Sequence, residues 1–199
     1  MMKIAFSIAL GSVLAGSAFA GTIASFADPT SSASQSMFVF NTTTNVLTGS
    51  YTGTGLTVLT PGLIGGGSVS NAKFTTSAIG FTAIPGSSFY TGGAGQVRFY
   101  TDDVNNPFMV IDFTGATLFS PIVFGASEFT GASTVNISGP NVPGGLSGEQ
   151  FSFSLANPVA NGNMISYTSS FTSSAVPEPA TMTALGLGVA ALIRRRKKS

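Results

Sequence analysis

The stretch FSFSLANPVANGNMISYTSSF, residues 151–171, indicates a fold more strongly than any other part of the sequence. In Phe151-Ser152-Phe153-Ser154-Leu155 the apolar residues occupy every second position, so they all face one side of a β-strand. Ile165-Ser166-Tyr167 repeats the alternation after Asn161-Gly162, a dipeptide strongly favoured in two-residue hairpin turns. The stretch therefore predicts two antiparallel strands joined by a tight turn.

Short apolar runs of the same kind recur through the rest of the chain, with turn residues such as Pro85-Gly86 and Asn106-Pro107 between them. No stretch between residues 21 and 175 shows a sustained helical period. We therefore predict an all-β fold, an antiparallel β-sandwich of about nine or more short strands over residues 21–170. The sequence holds 17 phenylalanines, and those at period-2 spacing are expected to form its core. The other apolar runs are 37–40, 56–59, 79–81, 97–100, 108–113, 118–124 and 134–137.

The composition excludes several classes of function. The 199 residues include no Cys and no His, so Cys/His zinc sites, disulfides and Ser-His catalysis are excluded. Charged residues make up 8% of the chain, and residues 21–176 hold two basic and six acidic residues, a formal charge of 2 − 6 = −4. A nucleic-acid partner is not expected, because such proteins spread many basic residues over one face. No cofactor is expected either.

Residues 1–20 have the three parts of a secretory signal peptide, which we expect to be helical. Lys3 supplies the positive charge, an apolar stretch runs from Ile4 to about Gly16, and Ala18-Phe19-Ala20 ends the segment. Signal peptidase accepts small side chains at the last and third-last positions, which Ala20 and Ala18 satisfy. Cleavage is therefore predicted between Ala20 and Gly21.

The C-terminal 24 residues, 176–199, also have three parts, and residues 171–175 are expected to link them to the sandwich. Val176-Pro177-Glu178-Pro179-Ala180-Thr181 comes first, and an uncharged stretch of 14 residues, 180–193, follows. As a helix this stretch is about 21 Å long, enough for a temporary membrane anchor but short of the ~30 Å hydrocarbon core. Five basic residues end the tail and are predicted to stay on the cytoplasmic side: Arg194, Arg195, Arg196, Lys197 and Lys198.

This tail resembles the PEP-CTERM sorting signal of Gram-negative-type bacteria, also labelled the ice-binding protein C-terminal motif. The resemblance implies that exosortase, a membrane transpeptidase, recognises Val176, Pro177, Glu178 and Pro179 and removes the helix. It implies an exported protein that is anchored briefly in the inner membrane and then reaches the cell surface or the extracellular space. Signal peptidase and exosortase would be its processing partners, and extracellular polysaccharide is a candidate partner afterwards.

The exported domain offers only weak candidates for chemistry. Asp102, Asp103 and Asn105 could supply part of a calcium site, although the alternative is a strand-to-strand turn that uses Asp and Asn for local backbone bonds. Asp112 and Glu128 could be nominated as the two carboxyls of a glycoside hydrolase. Threonines could form a binding face at positions 42, 43, 44, 48, 52, 54, 57 and 60, or they could simply be exposed strand residues.

Three functions remain open at this point. The first is a surface or extracellular-matrix protein with a structural or interaction role and no catalysis. The second is a carbohydrate- or ice-binding module with the same sorting, which predicts an exposed aromatic cluster or bound calcium. The third is a carboxylate-based hydrolase, for which only six acidic residues between 21 and 176 are available.

Overall fold

The computed structural model describes residues 21–27, 36–119, 123–127 and 133–177. These residues form fifteen β-strands and no helix. The strands are β1 (Gly21–Phe26), β2 (Phe38–Asn41), β3 (Val46–Tyr51), β4 (Val58–Leu59), β5 (Ser68–Val69), β6 (Lys73–Thr76), β7 (Ile79–Ala83), β8 (Phe89–Gly92), β9 (Gly95–Tyr100), β10 (Met109–Phe113), β11 (Ala116–Phe119), β12 (Val123–Ser127), β13 (Val135–Ser138), β14 (Leu146–Asn161) and β15 (Met164–Pro177).

Every strand pairing is antiparallel, and the pairings close on themselves. The order β3-β7-β8-β11-β12-β14-β15 continues through β2 back to β3, so eight strands form a closed, barrel-like sheet. The predicted all-β antiparallel class is confirmed. Two separate sheets of a sandwich are not confirmed, because the pairings link every described strand into one network. The predicted terminal helices lie outside the described residues.

A second group of strands continues from one end of β3 and covers the core. Val46 and Leu47 of β3 pair with β7, whereas Ser50 and Tyr51 pair with β6. From β6 the order runs to β9, β10 and β13. Rings of this group pack on rings of the long hairpin: Phe74 on Phe153 at 5.6 Å and Phe99 on Phe171 at 4.9 Å between centroids.

Phenylalanine dominates the core, as the alternating pattern predicts. The side chains alternate along the strands, so the apolar residues of each strand reach the same interior. Full burial of a side chain of this size stabilises the fold by about 1.5–3 kcal/mol. The buried phenylalanines are Phe26, Phe38, Phe40, Phe74, Phe81, Phe99, Phe113, Phe124, Phe151, Phe153 and Phe171.

The hairpin predicted from residues 151–171 is present as β14 and β15. Phe153 pairs with Phe171, and Asn161 pairs with Met164, so the two connecting residues are Gly162 and Asn163. Gly162 has φ +58°, a left-handed conformation that glycine adopts without steric cost. The turn is therefore displaced by one residue from the Asn161-Gly162 dipeptide that predicted it.

Residues 171–175, predicted as a linker, form part of β15. Phe171 to Ala175 pair with β1, and Phe171 to Ser174 also pair with β14. Phe171, Ser173 and Ala175 are buried and alternate with Thr172 and Ser174, as in a strand with one buried face. The folded unit therefore continues without a linker to Pro177.

Candidate functional site

A groove of about 620 Å³ lies on the outer face of the closed sheet, the face that points away from the phenylalanine core. It crosses β8, β11, β12, β14 and β15. Its volume falls within the range of about 300–1,000 Å³ that is usual for small-molecule sites. Most of its side chains alternate with buried residues of the same strands, although the buried Ala116 and Phe151 also reach its lining.

A row of short polar side chains runs across the groove, and we call it the hydroxyl row. Cross-strand pairs place Thr91 beside Thr117, Thr117 beside Gly125, Gly125 beside Ser152 and Ser152 beside Thr172. Neighbouring strands in a sheet lie about 4.8 Å apart. The hydroxyl row therefore presents four hydroxyl groups, on either side of Gly125, that can both donate and accept hydrogen bonds.

An apolar row lies beside part of the hydroxyl row, two residues along β8, β11 and β12. It consists of Ile84, Phe89, Phe119 and Val123, because Phe89 pairs with Phe119, Phe119 pairs with Val123, and the Ile84 N–H donates to the Phe89 carbonyl. The rings of Phe89 and Phe119 are 4.8 Å apart. Phe89 is 45% exposed, whereas the eleven core phenylalanines are buried.

Gly125 lines the groove in the middle of the hydroxyl row. A Cβ atom at this position would lie 2.3 Å from the Phe151 carbonyl oxygen, so no other residue fits without displacing the backbone of β14. The glycine therefore allows the backbones of β12 and β14 to approach closely. Because it has no side chain, the hydroxyl row has a gap between Thr117 and Ser152.

The groove carries no formal charge among its described lining residues. Its polar groups are hydroxyls and one amide, that of Gln150, whose Nε2 donates to Ser174 Oγ at 2.8 Å. The described lining offers neither a carboxylate for acid–base chemistry nor a cation for an anionic ligand. The arrangement is suited to binding an uncharged molecule that has both apolar and hydroxylated surfaces.

The calcium candidates lie in an exposed turn between β9 and β10. Asp103 Oδ1 accepts hydrogen bonds from the Asn105 backbone N–H at 2.9 Å and from Asn105 Nδ2 at 3.2 Å. The Asp103 carbonyl accepts from the Asn106 N–H. This is the geometry of the alternative interpretation, a turn stabilised by local side-chain bonds. Within the described ranges, no three or more acidic, His or Cys side chains gather around a possible metal position.

Of the two nominated catalytic carboxyls, Asp112 is on β10 and Glu128 lies outside the described residues. Asp112 Oδ1 accepts a hydrogen bond of 2.6 Å from Gln96 Nε2, and Gln96 Oε1 in turn accepts one from Arg98 Nε. These three side chains form a chain across β9 and β10. Asp112 also lines a shallow depression, with Thr134 and Asn136 among its other lining residues.

The threonines nominated from the sequence do not form one face. Thr43 and Thr44 are in the turn after β2, where their N–H groups donate to Asn41 Oδ1. Thr48 is exposed on β3, whereas Thr60 is 3% exposed. The hydroxyl row is built from other residues, because it depends on which strands become neighbours.

The sorting residues straddle the end of the described chain. Val176 pairs with Ser147 and Pro177 pairs with Leu146 at the end of β15, and Ser147 Oγ donates to the Val176 carbonyl at 3.3 Å. Outside the described residues lie Ala18, Ala20, Glu178, Pro179, Arg194, Arg195, Arg196, Lys197, Lys198 and the predicted membrane helix 180–193. Within the part that is described, no helix is long and apolar enough to cross a membrane.

Residues 175–197 match the family model of the PEP-CTERM protein-sorting motif. The chain carries a PEP-CTERM sorting signal. The signal marks an exported surface protein that is processed by exosortase and is anchored only transiently in the membrane. No curated protein and no solved structure matches the chain.

The PEP-CTERM signal was found from its residues, but the groove was missed. Its described members lie on five strands and in two connecting segments between Phe89 and Ser174, and no short motif unites them. The available signal was the polar half of each alternation, such as Ser152 between Phe151 and Phe153. That signal shows that Ser152 faces outward and does not show which residues stand beside it.

Proposed function

We propose that this chain is a non-catalytic surface or extracellular-matrix protein whose folded unit interacts with material outside the cell. The observation that carries the proposal is the continuity of β15 into the sorting signal, with Val176 and Pro177 still paired to β14. Removal of the tail after this point would leave the fifteen-strand unit intact. In this proposal, three segments serve only delivery and are removed afterwards: the signal peptide, the temporary anchor and the cytoplasmic basic tail.

The neutral groove supports the non-catalytic part of the proposal. Hydrolysis of a glycoside uses two carboxyls that flank the scissile bond. The described lining of the groove contains none, and Asp112 is on β10, outside the strands that form the groove, and is bonded to Gln96. The described acidic side chains elsewhere are in the exposed β9–β10 turn, apart from Glu149, which is buried and accepts a hydrogen bond from the Ile137 N–H.

Cell fractionation of the native host tests the delivery. The double variant Glu178→Ala/Pro179→Ala alters the motif but leaves Pro177 and the last pairs of β15 in place. We expect the wild type in the surface or extracellular fraction and the double variant in the inner membrane. Thr183→Ala, a change in the same tail beyond the motif, is the control and should behave as the wild type. Wild-type protein confined to the inner membrane would contradict the proposal.

The absence of catalysis has its own test. The purified protein is incubated with the host's extracellular polysaccharide, and newly formed reducing ends are measured over time. We expect no increase above a sample without protein. A steady increase that is lost in Asp112→Asn would contradict the non-catalytic role and restore the hydrolase interpretation.

A further inference from the structure

We propose that the outer groove binds an uncharged polysaccharide, with one sugar ring on Phe89 and Phe119 and its hydroxyls bonded to the hydroxyl row. The inference deepens the proposed function and rests on it, because the polysaccharide has to be met outside the cell. It assigns a ligand class and a binding site to the exported unit.

The first support is an outward-facing aromatic pair, the exposed Phe89 and the half-buried Phe119. Phe89 and Phe119 face outward at 4.8 Å between centroids, although burial is the favourable state for such rings. A pyranose ring has an apolar face of C–H groups, and the negative face of an aromatic ring attracts the positive ends of such bonds. Covering Phe89 with a sugar ring would also remove its apolar surface from water.

The second support is the match between the two rows and the two kinds of surface on a sugar. Hydroxyl groups surround the rim of a pyranose, and they need donors and acceptors at short range. Thr117, Ser152 and Thr172 supply both, one strand apart from the next or across Gly125. Phe119 of the apolar row is two residues from Thr117 on the same face of β11, so one sugar ring could contact both rows there.

The charge of the groove and of the whole domain favours an uncharged polysaccharide over an acidic one. The described groove lining has no ionisable side chain, and residues 21–176 carry a formal charge of −4. An acidic polysaccharide would be repelled by the domain and would find no cation in the groove. An uncharged polymer avoids both penalties.

Ice is a poorer match to the same site. Binding to ice requires a flat and regular array, whereas this surface is a groove that Phe89 and Phe119 line at one side. The hydroxyl row is also interrupted at Gly125. The concave shape suits a chain of rings better than a plane.

Affinity measurements on the full chain test the inference. The host's extracellular polysaccharide is separated on an anion-exchange resin into a neutral and an acidic fraction, and each is titrated against the protein. We expect binding to the neutral fraction, weakened about tenfold or more in Phe89→Leu and retained in Phe89→Tyr, because only the second keeps a ring. Thr117→Val, which removes a hydroxyl and keeps the shape, should also weaken binding severalfold.

Ile64→Ala is the matched control, since Ile64 is 66% exposed and is not part of the groove. It should bind as the wild type. No binding to the neutral fraction, equal binding by all variants, or preference for the acidic fraction would overturn the inference. So would self-association of the chain that Phe89→Leu abolishes, because the groove would then be an interface between two copies.

The two proposals fail separately. Binding in the groove is measured on purified protein and is independent of where the host delivers it. Wild-type protein retained in the inner membrane would remove the proposed function while the groove still bound the neutral fraction. Correct delivery without binding would remove only the groove inference.

Discussion

At the scale of the residue, three glycines stand opposite phenylalanines, and each ring lies over the glycine of the neighbouring strand. The pairs are Gly49 with Phe38, Gly92 with Phe81, and Gly95 with Phe113. An added Cβ at any of these glycines would lie between 2.4 and 2.6 Å from a ring atom. Because glycine has no side chain, the phenylalanine ring can occupy the space beside the backbone that a Cβ atom would fill.

Gly49→Ala should therefore destabilise the fold by about 1–3 kcal/mol, the usual cost of overpacking a core. Phe38 is fully buried and its ring is 4.8 Å from that of Phe153, so it has little room to move. Gly80→Ala is the control, because nothing lies within 4 Å of the added Cβ. Urea unfolding followed by circular dichroism measures both variants. Equal stability of the two would show that the rings adjust freely.

Tyr167 gives the fold a dependence on alkaline pH. Burial raises the pKa of Tyr167 above its ordinary value of 10.0, and the nearby Tyr90 raises it further. The unfolded chain then releases this proton at lower pH than the folded chain does, so stability falls as pH rises above about 10.

Tyr167→Phe tests this dependence. The variant has no proton to release at this position, so its free energy of unfolding should fall less between pH 9 and about pH 11 than that of the wild type. Urea unfolding at a series of pH values measures the difference. Parallel pH profiles for the two proteins would contradict the stated role of Tyr167.

At the scale of the element, the alternation of apolar and polar residues predicted where strands form. It did not predict which strands lie next to each other in the sheet. The tripeptide Phe-Tyr-Thr occurs twice, at residues 89–91 and 99–101. Phe89 is 45% exposed, whereas Phe99 is buried. The tripeptide is identical, so the difference comes from its surroundings: Val97 precedes Phe99 on the buried face of β9, whereas the exposed Ser87 precedes Phe89. The neighbouring strands also differ, because β8 pairs with β7 and β11, and β9 pairs with β6 and β10.

The groove could not be predicted for the same reason. Phe151 to Leu155 alternate clearly enough to show that Ser152 is outside the core. Its position between Gly125 and Thr172 depends on cross-strand register, which is set by contacts between distant residues. The sorting signal is the opposite case, because its motif, apolar stretch and basic end are contiguous in the chain.

The end of β15 gives a further prediction about processing. Val176 and Pro177 are paired with β14. This part of the motif therefore has to separate from β14 before an enzyme can surround it. A short Gly/Ser insertion between Ala175 and Val176 should therefore raise the rate at which the tail is removed. Pulse-chase labelling in the native host measures that rate. An unchanged rate would show that pairing of these two residues does not limit processing.

At the scale of the whole molecule, the residues that direct delivery lie in the two terminal segments, and the folded unit lies between them. Six of the eight basic residues lie in the two terminal segments, and residues 21–176 are acidic overall. The fifteen described strands build one core from buried phenylalanines, and the described lining of the groove outside it carries no charge. Processing at both ends is proposed to release this unit from its targeting segments.

The intact mass of the mature protein, isolated from the native host, tests that claim most directly. The account predicts a mass that lacks residues 1–20 and the tail beyond the Pro177-Glu178-Pro179 motif. In the Glu178→Ala/Pro179→Ala variant the tail should be retained while the first 20 residues are still removed. A wild-type mass that keeps the apolar and basic tail would contradict the account, because the protein would then be a permanently anchored one.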